Sequence, residues 1–551
     1  MSRHGEDNGR AIELRSNSAE GDDARVDAAK SASSTDEAED ESQYPGTLVT
    51  ALLTFGLCLA AFTTALDNTI IATAIPKITS VFDSLDDVGW YGSAYLLTTT
   101  ALQPTFGKIY TFFDVKWTYL SALIIFEVGS VICAASKTSV IFIVGRAIAG
   151  IGGAALFSGG MTMVALVTPI RRRAMYNSIL TSMFGIASVV GPLLGGAFTD
   201  RLSWRWCFWI NLPFGAVAFM AVLLIFRMPE RPHTNLTVKE KLLKLDLLGG
   251  FLFVPAIVCL LLALQWGGIT YSWKDSRVWG CILGFVLIIA CFVGSQIYRG
   301  EDATIPPRIM KQRTVLSSTL FIAFLSMGIY AHFYYLPFYF QAVKGTSAMA
   351  SGIRTVPYIV SITVAAVIVG VSLTFIGYYT PFTWFGASAF TVGAGLMYTL
   401  QVETTSSRWI GYQVLTGFGA GIALEIPFIA VQRVVAKKDM PVGNAMVGFF
   451  NSLGSGISIS VAENIFSNTL VKGLEQDVHG INPEVVVAAG ATGVRDVTPP
   501  QLLPAVLHAY NNAITTAFIF SIASGGFAVL CSMFIEWKSV KGTKSEQAES
   551  T

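Results

Sequence analysis

This chain is divided into apolar runs of about twenty residues, and that spacing restricts its fold more than any other feature. A bilayer core of roughly 30 Å is crossed by about 20 apolar residues in helical form. Inside lipid each backbone N–H and C=O has to be satisfied within the structure, which leaves helices or closed barrels. Stretches of helical length lie near 48–73, 88–107, 118–136, 139–163, 176–199, 206–226, 247–266, 277–297, 315–340, 352–375, 381–402, 408–432, 444–468 and 514–535. They make fourteen spans, with the least sharply marked boundaries around 66–90 and 340–352. Of the 551 residues, 53% are hydrophobic and only 13% charged. Soluble domains carry about a quarter charged residues, so an all-α membrane protein is expected. The net charge of +1 says nothing about nucleic acid, but there is no basic cluster interleaved with aromatics, so no nucleic-acid partner is expected. Seven cysteines (Cys58, Cys133, Cys207, Cys259, Cys281, Cys291 and Cys531) show no metal-ligand spacing and read as free thiols, so no metal is expected. No nucleophile–base pair or phosphate loop argues for an enzyme.

Loop charges give the chain a direction. Residues 1–46 are rich in Ser, Asp, Glu and Arg with few large apolar side chains, and read as a disordered cytosolic tail. No secretory signal precedes the first run, which would serve as its own uncleaved signal. With that tail inside, the inner loops hold Lys108 and Lys116; Arg171, Arg172 and Arg173; Arg227, Arg231, Lys239, Lys241 and Lys244; Arg299, Arg308, Lys311 and Arg313; and Arg433, Lys437 and Lys438. The outer loops hold acids such as Asp83, Asp86 and Asp87, so the positive-inside rule places both termini in the cytosol. The formal sequon Asn235-Leu-Thr237 falls in an inner loop and is expected to stay unglycosylated. Arg146-Ala-Ile-Ala-Gly150-Ile-Gly152 aligns with Gln413-Val-Leu-Thr-Gly417-Phe-Gly419 in spans four and twelve, as in an internal repeat. The division that follows is a six-helix half over 47–226, a linker with two inserted spans over 227–300, a second six-helix half over 301–536, and a cytosolic tail over 537–551. Within the second half, 471–512 carries Pro483, Pro499, Pro500 and Pro504, is too polar to span, and reads as a long outer loop. Repeated halves imply a central site exposed alternately to each side.

Span five carries Ala187, Gly191, Gly195 and Thr199 at four-residue spacing, one smooth helical face on which a second helix can approach closely in lipid. Pro192 removes a donor from the same helix and invites a bend. Ionisable groups inside spans cost on the order of 2.5–3.5 kcal/mol even on insertion scales and call for a reason. They are Asp67 in span one, Glu127 in span three, Arg146 in span four, His332 in span nine, Glu425 in span twelve and Glu463 in span thirteen. A carboxyl in a partly dehydrated cavity can alternate between charged and protonated states, as proton coupling requires. Arg146 stays charged and favours a nearby carboxylate. Each group has a structural reading too: Asp67 as a helix cap, Glu127, Glu425 and Glu463 as local hydrogen-bond partners, and His332 as a member of an aromatic cluster. Tyr95, Tyr334 and Glu425 are candidates for lining a substrate cavity, where a flat apolar ligand would meet aromatic rings.

The chain resembles the major facilitator superfamily over residues 45–540, and within it the fourteen-span drug:proton antiporter group, particularly fungal efflux pumps for toxins and drugs. Four stretches carry the resemblance. Leu66-Asp67-Asn68-Thr69 through Pro76 is similar to the family's span-one motif. Arg146-Ala-Ile-Ala-Gly150-Ile-Gly152-Gly153 is similar to its span-four motif, Gly191-Pro192-Leu-Leu-Gly195-Gly196 to its antiporter motif, and Trp204-Arg205-Trp206 through Asn211-Leu212-Pro213 to the start of its span six. The resemblance implies a major facilitator fold with fourteen transmembrane helices, two six-helix halves plus two inserted helices. It also implies proton coupling through Asp67 and Arg146 and export associated with the Gly191 motif. Ala187 stands where glycine is usual, a change that keeps the face small. Gly107-Lys108 opens the inner-loop gate motif, but Thr111 and Phe112 stand where the family places Asp and Arg, which puts the usual charge latch in doubt.

The leading expectation is proton-coupled efflux of small amphipathic organic molecules, such as a fungal toxin or antifungal drugs, with a proton gradient as energy source and no cofactor. The alternatives are proton-coupled uptake of a siderophore or other small solute, and a membrane sensor that does not transport. The partners expected are the substrate and the bilayer around a monomeric chain in the plasma membrane, with the vacuolar membrane as alternative.

Overall fold

A computed structural model describes residues 44–84, 87–227, 240–241, 244–268, 271–478 and 481–540. The sequon at 235–237, Asp86, Arg231, Lys239 and nearly all of both tails lie outside the described residues. The helices in chain order are α1 (Thr47–Phe82), α2 (Val88–Phe112), α3 (Val115–Ala135), α4 (Ser139–Val167), α5 (Ile170–Arg201), α6 (Asn211–Ile225), α7 (Leu247–Trp266), α8 (Ser276–Arg299), α9 (Arg313–Phe338), α10 (Ala348–Ile376), α11 (Thr380–Tyr398), α12 (Ser406–Leu424, carried on by Ile426–Val434), α13 (Met440–Asp477) and α14 (Leu503–Ser532). Their starts follow local chemistry. Asp114, Thr138, Asp246, Asp275 and Ser347 each accept a backbone N–H in the first turn of α3, α4, α7, α8 and α10.

Among the described residues, 12 helices are long and apolar enough to cross a membrane. They correspond to every helix above except α2 and α11, which are long but richer in Thr, Gly and Tyr. Large apolar side chains point outward along the bundle, with Leu283, Leu287 and Ile297 of α8 at 57%, 58% and 70% exposure. An all-round apolar helix with such a surface belongs in lipid.

The packing has a repeating plan. α1 packs on α5 and α6, α4 on α2 and α3, and α3 on α6; α9 packs on α13 and α14, α12 on α10 and α11, and α11 on α14. Adding eight to each member of the first set gives the second. Across the two sets, α5 packs on α10 and α2 on α13, while α7 pairs with α8 and touches α2. The cross-contacts include Phe157–Phe428 with ring centroids 5.6 Å apart, Asn444 Nδ2 donating to Thr162 Oγ1 at 3.5 Å, and Arg173 Nη1 against Met440 Sδ at 3.8 Å. All three lie towards the end of the bundle that holds the α4–α5 and α12–α13 turns.

The segment 471–512 departs from the open loop expected of it. α13 runs on to Asp477, two short helical pieces joined by a kink at Gly490 occupy Pro483–Val497, and α14 begins at Leu503. Pro483 and Pro504 sit in first turns, where a missing N–H costs nothing, and so start helices here rather than break them. Arg495 fastens the second piece to the π-helical turn Tyr339–Val343 that follows α9, donating to the carbonyls of Ala342 at 3.2 Å and Val343 at 2.8 Å.

Candidate functional site

Asp67 and Arg146 meet in the core of the first helical set. Arg146 Nη1 forms an ion pair with Asp67 Oδ2, and neither side chain is exposed to solvent. Arg146 Nε donates to the Tyr91 carbonyl of α2 at 2.9 Å. Its guanidinium lies 4.6 Å from the Tyr95 ring centroid and 6.0 Å from that of Phe208. Two desolvated charges are tolerated when they are paired and further hydrogen-bonded, and aromatic faces add to the stabilisation of the cation. Asp67 is therefore not a helix cap: α1 continues for four turns beyond it.

The other Asp67 oxygen reads a residue that sequence reasoning did not single out. Asn211 Nδ2, at the start of α6, donates to Asp67 Oδ1 at 3.2 Å and to Ser130 Oγ of α3 at 3.2 Å. The signal was present, since an asparagine inside an apolar run needs a partner, but the sequence does not say which. Arg146 Nη2 and Asn211 Oδ1 remain buried without a hydrogen-bond partner. Buried polar groups are as a rule hydrogen-bonded, so these two set the pocket apart.

Glycines let the helices converge on this pair. A Cβ on Gly150 would stand 2.5 Å from the Tyr95 carbonyl, and one on Gly152 2.6 Å from Phe126 N of α3. On α5, a Cβ on Gly191 would stand 2.9 Å from Thr69 Cβ, and one on Gly195 2.6 Å from the Ile70 carbonyl. Thr69 Oγ1 donates to the Ala187 carbonyl at 3.0 Å. The small face of α5 thus lies on α1 in the turns just beyond Asp67. Gly196 points elsewhere, with nothing within 4 Å of its Cβ position, and α5 passes through Pro192 unbroken.

Glu127 lies one turn from Ser130 on α3, packed on Gly215 of α6, with both carboxyl oxygens buried and without a hydrogen-bond partner. Asp67 and Glu127 therefore approach one face of α6, Asp67 at Asn211 and Glu127 at Gly215. Of the three cavity candidates, Tyr95 belongs to the ion-pair pocket, because Arg146 sits on its ring and it is 4% exposed. Glu425 is buried at the break in α12 beside Thr181 of α5, and its Oε2 has no partner. Tyr334 is 39% exposed and stacks on Phe338 at 5.5 Å. His332 is enclosed by Tyr358, Phe390 and Phe518 as a member of an aromatic cluster.

The gate motif is built differently from the family pattern. Gly107 lies against Ala445 and Pro441 of α13, and Lys108 Nζ donates to the Glu301 carbonyl at 2.9 Å. Asp114 is spent on capping α3, and Lys116 Nζ donates to the Phe226 carbonyl at 2.9 Å. The ion pairs lie further along: Arg308 binds Glu301 at 3.0 Å and Asp439 at 2.8 Å. Donating hydrogen bonds to Asp439 and Glu301 raises the Arg308 pKa above its ordinary value. The chain after α8 thereby ties the end of α2 to the start of α13. No group of His, Cys, Asp and Glu that could hold a metal occurs among the described residues.

Comparisons with known proteins agree with this geometry. A family profile described as Major Facilitator Superfamily matches residues 57–459. The chain is 46% identical over 499 residues to the "MFS-type efflux pump MFS1" of Arthroderma benhamiae, covering 90% of this chain and 93% of that protein. It is 47% identical over 492 residues to the "Efflux pump roqT" of Penicillium rubens, covering 89% and 91%. Among solved structures, the human organic anion transporter MFSD10 superposes with a TM-score of 0.57 at 13% identity, covering 90% of this chain and 100% of that one.

Proposed function

Because this chain belongs to the Major Facilitator Superfamily, whose members are membrane transporters and not enzymes, we propose that it is a proton-coupled exporter of small amphipathic organic molecules. It is a multi-pass membrane protein that moves small organic molecules. The finer reading has fourteen spans, with α1–α6 and α9–α14 as two halves and α7–α8 inserted between them. The helix pairings displaced by eight support it. So do α2 and α11, which fill the places where the two less apolar spans would lie. The loop charges support cytosolic termini, and the plasma membrane is the proposed site, with the vacuolar membrane second. The cross-contacts near the α4–α5 and α12–α13 turns would then close the cytosolic end.

One observation carries the mechanism: the buried Asp67–Arg146 pair, held by Asn211 and lying on the glycine face of α5. Protonation of Asp67 from outside removes the charge that Arg146 neutralises. Arg146 Nη2 and Asn211 Oδ1 then take new partners, and α1 can shift along α5 on its smooth face. Glu127, on the same face of α6, is the second proton-binding candidate. One charge moved through 100 mV supplies about 2.3 kcal/mol, enough for roughly a fifty-fold concentration ratio. Export rather than uptake is favoured by the relatives named efflux pumps.

In yeast cells lacking their own pumps, the chain is expected to lower the accumulation of an amphipathic dye such as rhodamine 6G. An uncoupler should restore accumulation. Asp67→Asn, scored at matched amounts of folded protein, should abolish the effect. Gradient-driven export that survives this substitution removes Asp67 from the mechanism, and increased dye entry would favour uptake.

A further inference from the structure

Glu463 is the intramembrane acid that the Asp67–Arg146 machinery leaves unexplained. It lies on α13, partly exposed, and its Oε2 accepts the Tyr335 hydroxyl at 2.8 Å. Among the described residues no cationic side chain pairs with it. Asp67 has Arg146, and Glu425 is sealed beside Thr181. Glu463 differs from both in standing beside open aromatic rings.

The ring set is rigid behind and open in front. Tyr335 is fully buried and packs on Phe466 at 5.1 Å, which in turn packs on Tyr510 at 5.8 Å. In front, Tyr334 and Phe338 stack at 5.5 Å and 25°, and Tyr334 is 39% exposed. A helix turns roughly 100° per residue, so the neighbours of Tyr334 fix the direction of its ring. Phe333 packs on Tyr358 of α10 at 5.3 Å, Tyr335 reaches α13, and His332 faces Phe390 of α11 and Phe518 of α14. Tyr334 therefore points between α10 and α13. These are the two helices of their set that pack on α5 and α2, so the open ring faces the first helical set.

We infer that Glu463, Tyr334 and Phe338 form a recognition site for an amphipathic organic cation on the wall of the cleft between the two helical sets. The inference rests on the transporter reading above and names its substrate class. An uncompensated carboxylate inside a membrane protein draws a counter-charge, and stacked aromatic faces attract a desolvated cation while covering its apolar body. The Tyr335 hydroxyl fixes one carboxyl oxygen and leaves the other to the ligand.

The test is equilibrium binding to the purified full-length chain in detergent micelles, with no proton gradient. Tetraphenylphosphonium serves as the cation and tetraphenylborate as an anion of the same shape. The wild type is expected to bind the cation in preference to the anion. Glu463→Gln keeps an acceptor for Tyr335 but should weaken cation binding by about tenfold or more. Tyr334→Ala and Phe338→Ala should each weaken it by about fivefold. Asp67→Asn should leave cation binding intact. Wild type that binds neither probe, or Glu463→Gln protein with unchanged cation affinity, overturns the site even if Asp67-dependent export stands. An equal loss for both probes overturns it too, since that reports a packing defect rather than a lost charge. Export that survives Asp67→Asn, with cation binding retained, overturns the transport mechanism and leaves the site.

Discussion

Separating the two halves of the Asp67–Arg146 pair is expected to give stability costs that do not add. Removing one partner of a buried pair costs about 3–5 kcal/mol because a charge is left in low dielectric. In Asp67→Asn the stranded group is Arg146, which keeps the Tyr91 carbonyl at 2.9 Å and the Tyr95 ring at 4.6 Å. Arginine cannot shed its proton, so the charge stays unpaired. In Arg146→Gln the stranded group is Asp67, whose remaining donor is Asn211 at 3.2 Å. The double variant places two amides side by side and should lose about 1–3 kcal/mol less than the sum of the singles. Denaturant unfolding of the purified chains in micelles at pH 7 reads all three costs. Additive singles would refute the reasoning.

Two further outcomes separate near neighbours. Gly195→Ala should lose about 1–3 kcal/mol by overpacking, because its Cβ would stand 2.6 Å from the immovable Ile70 carbonyl. Gly196→Ala, one residue on, meets nothing within 4 Å and should leave the thermal midpoint unchanged or slightly raised. At the base of α7, burial pushes the Asp246 carboxyl up, but hydrogen bonds from Gln296, the Gly249 N–H and Thr304 outweigh it and hold the group below the usual carboxylate range. A depressed carboxylate contributes stability above its unfolded pKa and loses it as pH falls through the folded value. Asp246→Asn should therefore lower the melting temperature at pH 7, and the gap from wild type should close in acid below about pH 4.

What could be read from the sequence follows the reach of each interaction. Asp67 and Arg146 stand out because a charge in an apolar run has few explanations, although 79 residues separate them and nothing local says that they pair. The spacing of Ala187, Gly191 and Gly195 encodes a face directly, and the same periodicity excludes Gly196, which the motif alone groups with the others. Asn211 has no periodic signature, and its meaning depends on Asp67, 144 residues away. Apolarity under-reports α2 and α11 for a physical reason. α2 is packed among other helices, so Thr, Gly and Tyr can replace Leu and Val at its contacts, whereas α11 turns Phe385 and Val392 outward and uses its Thr and Gly residues on the packed face. Lys108 stands out as a charge at the end of a span, but its partner lies 193 residues on, in the turn after α8.

The internal repeat carries the last step, because its two copies agree in backbone geometry and differ in charge. Arg146 Nε donates to the Tyr91 carbonyl of α2 at 2.9 Å, and Gln413 Nε2 donates to the Arg354 carbonyl of α10 at 3.0 Å. Gly150 faces the carbonyl of Tyr95 and Gly417 that of Tyr358; Gly152 lies on α3 and Gly419 on α11. The matching places therefore serve to bring one helix of each set close to two others, a packing role that survives replacement of arginine by glutamine. The charge does not. Gln413 needs no counter-ion, and in the region of α9 that parallels Asp67 the chain carries His332 among Tyr358, Phe390 and Phe518. Among the described residues neither side chain takes part in an ion pair. The same scaffold thus holds an ion pair in α1–α6 and an uncharged counterpart in α9–α14. The proposed proton coupling would accordingly act through the first set, and the proposed recognition site lies on the open aromatic wall of the second.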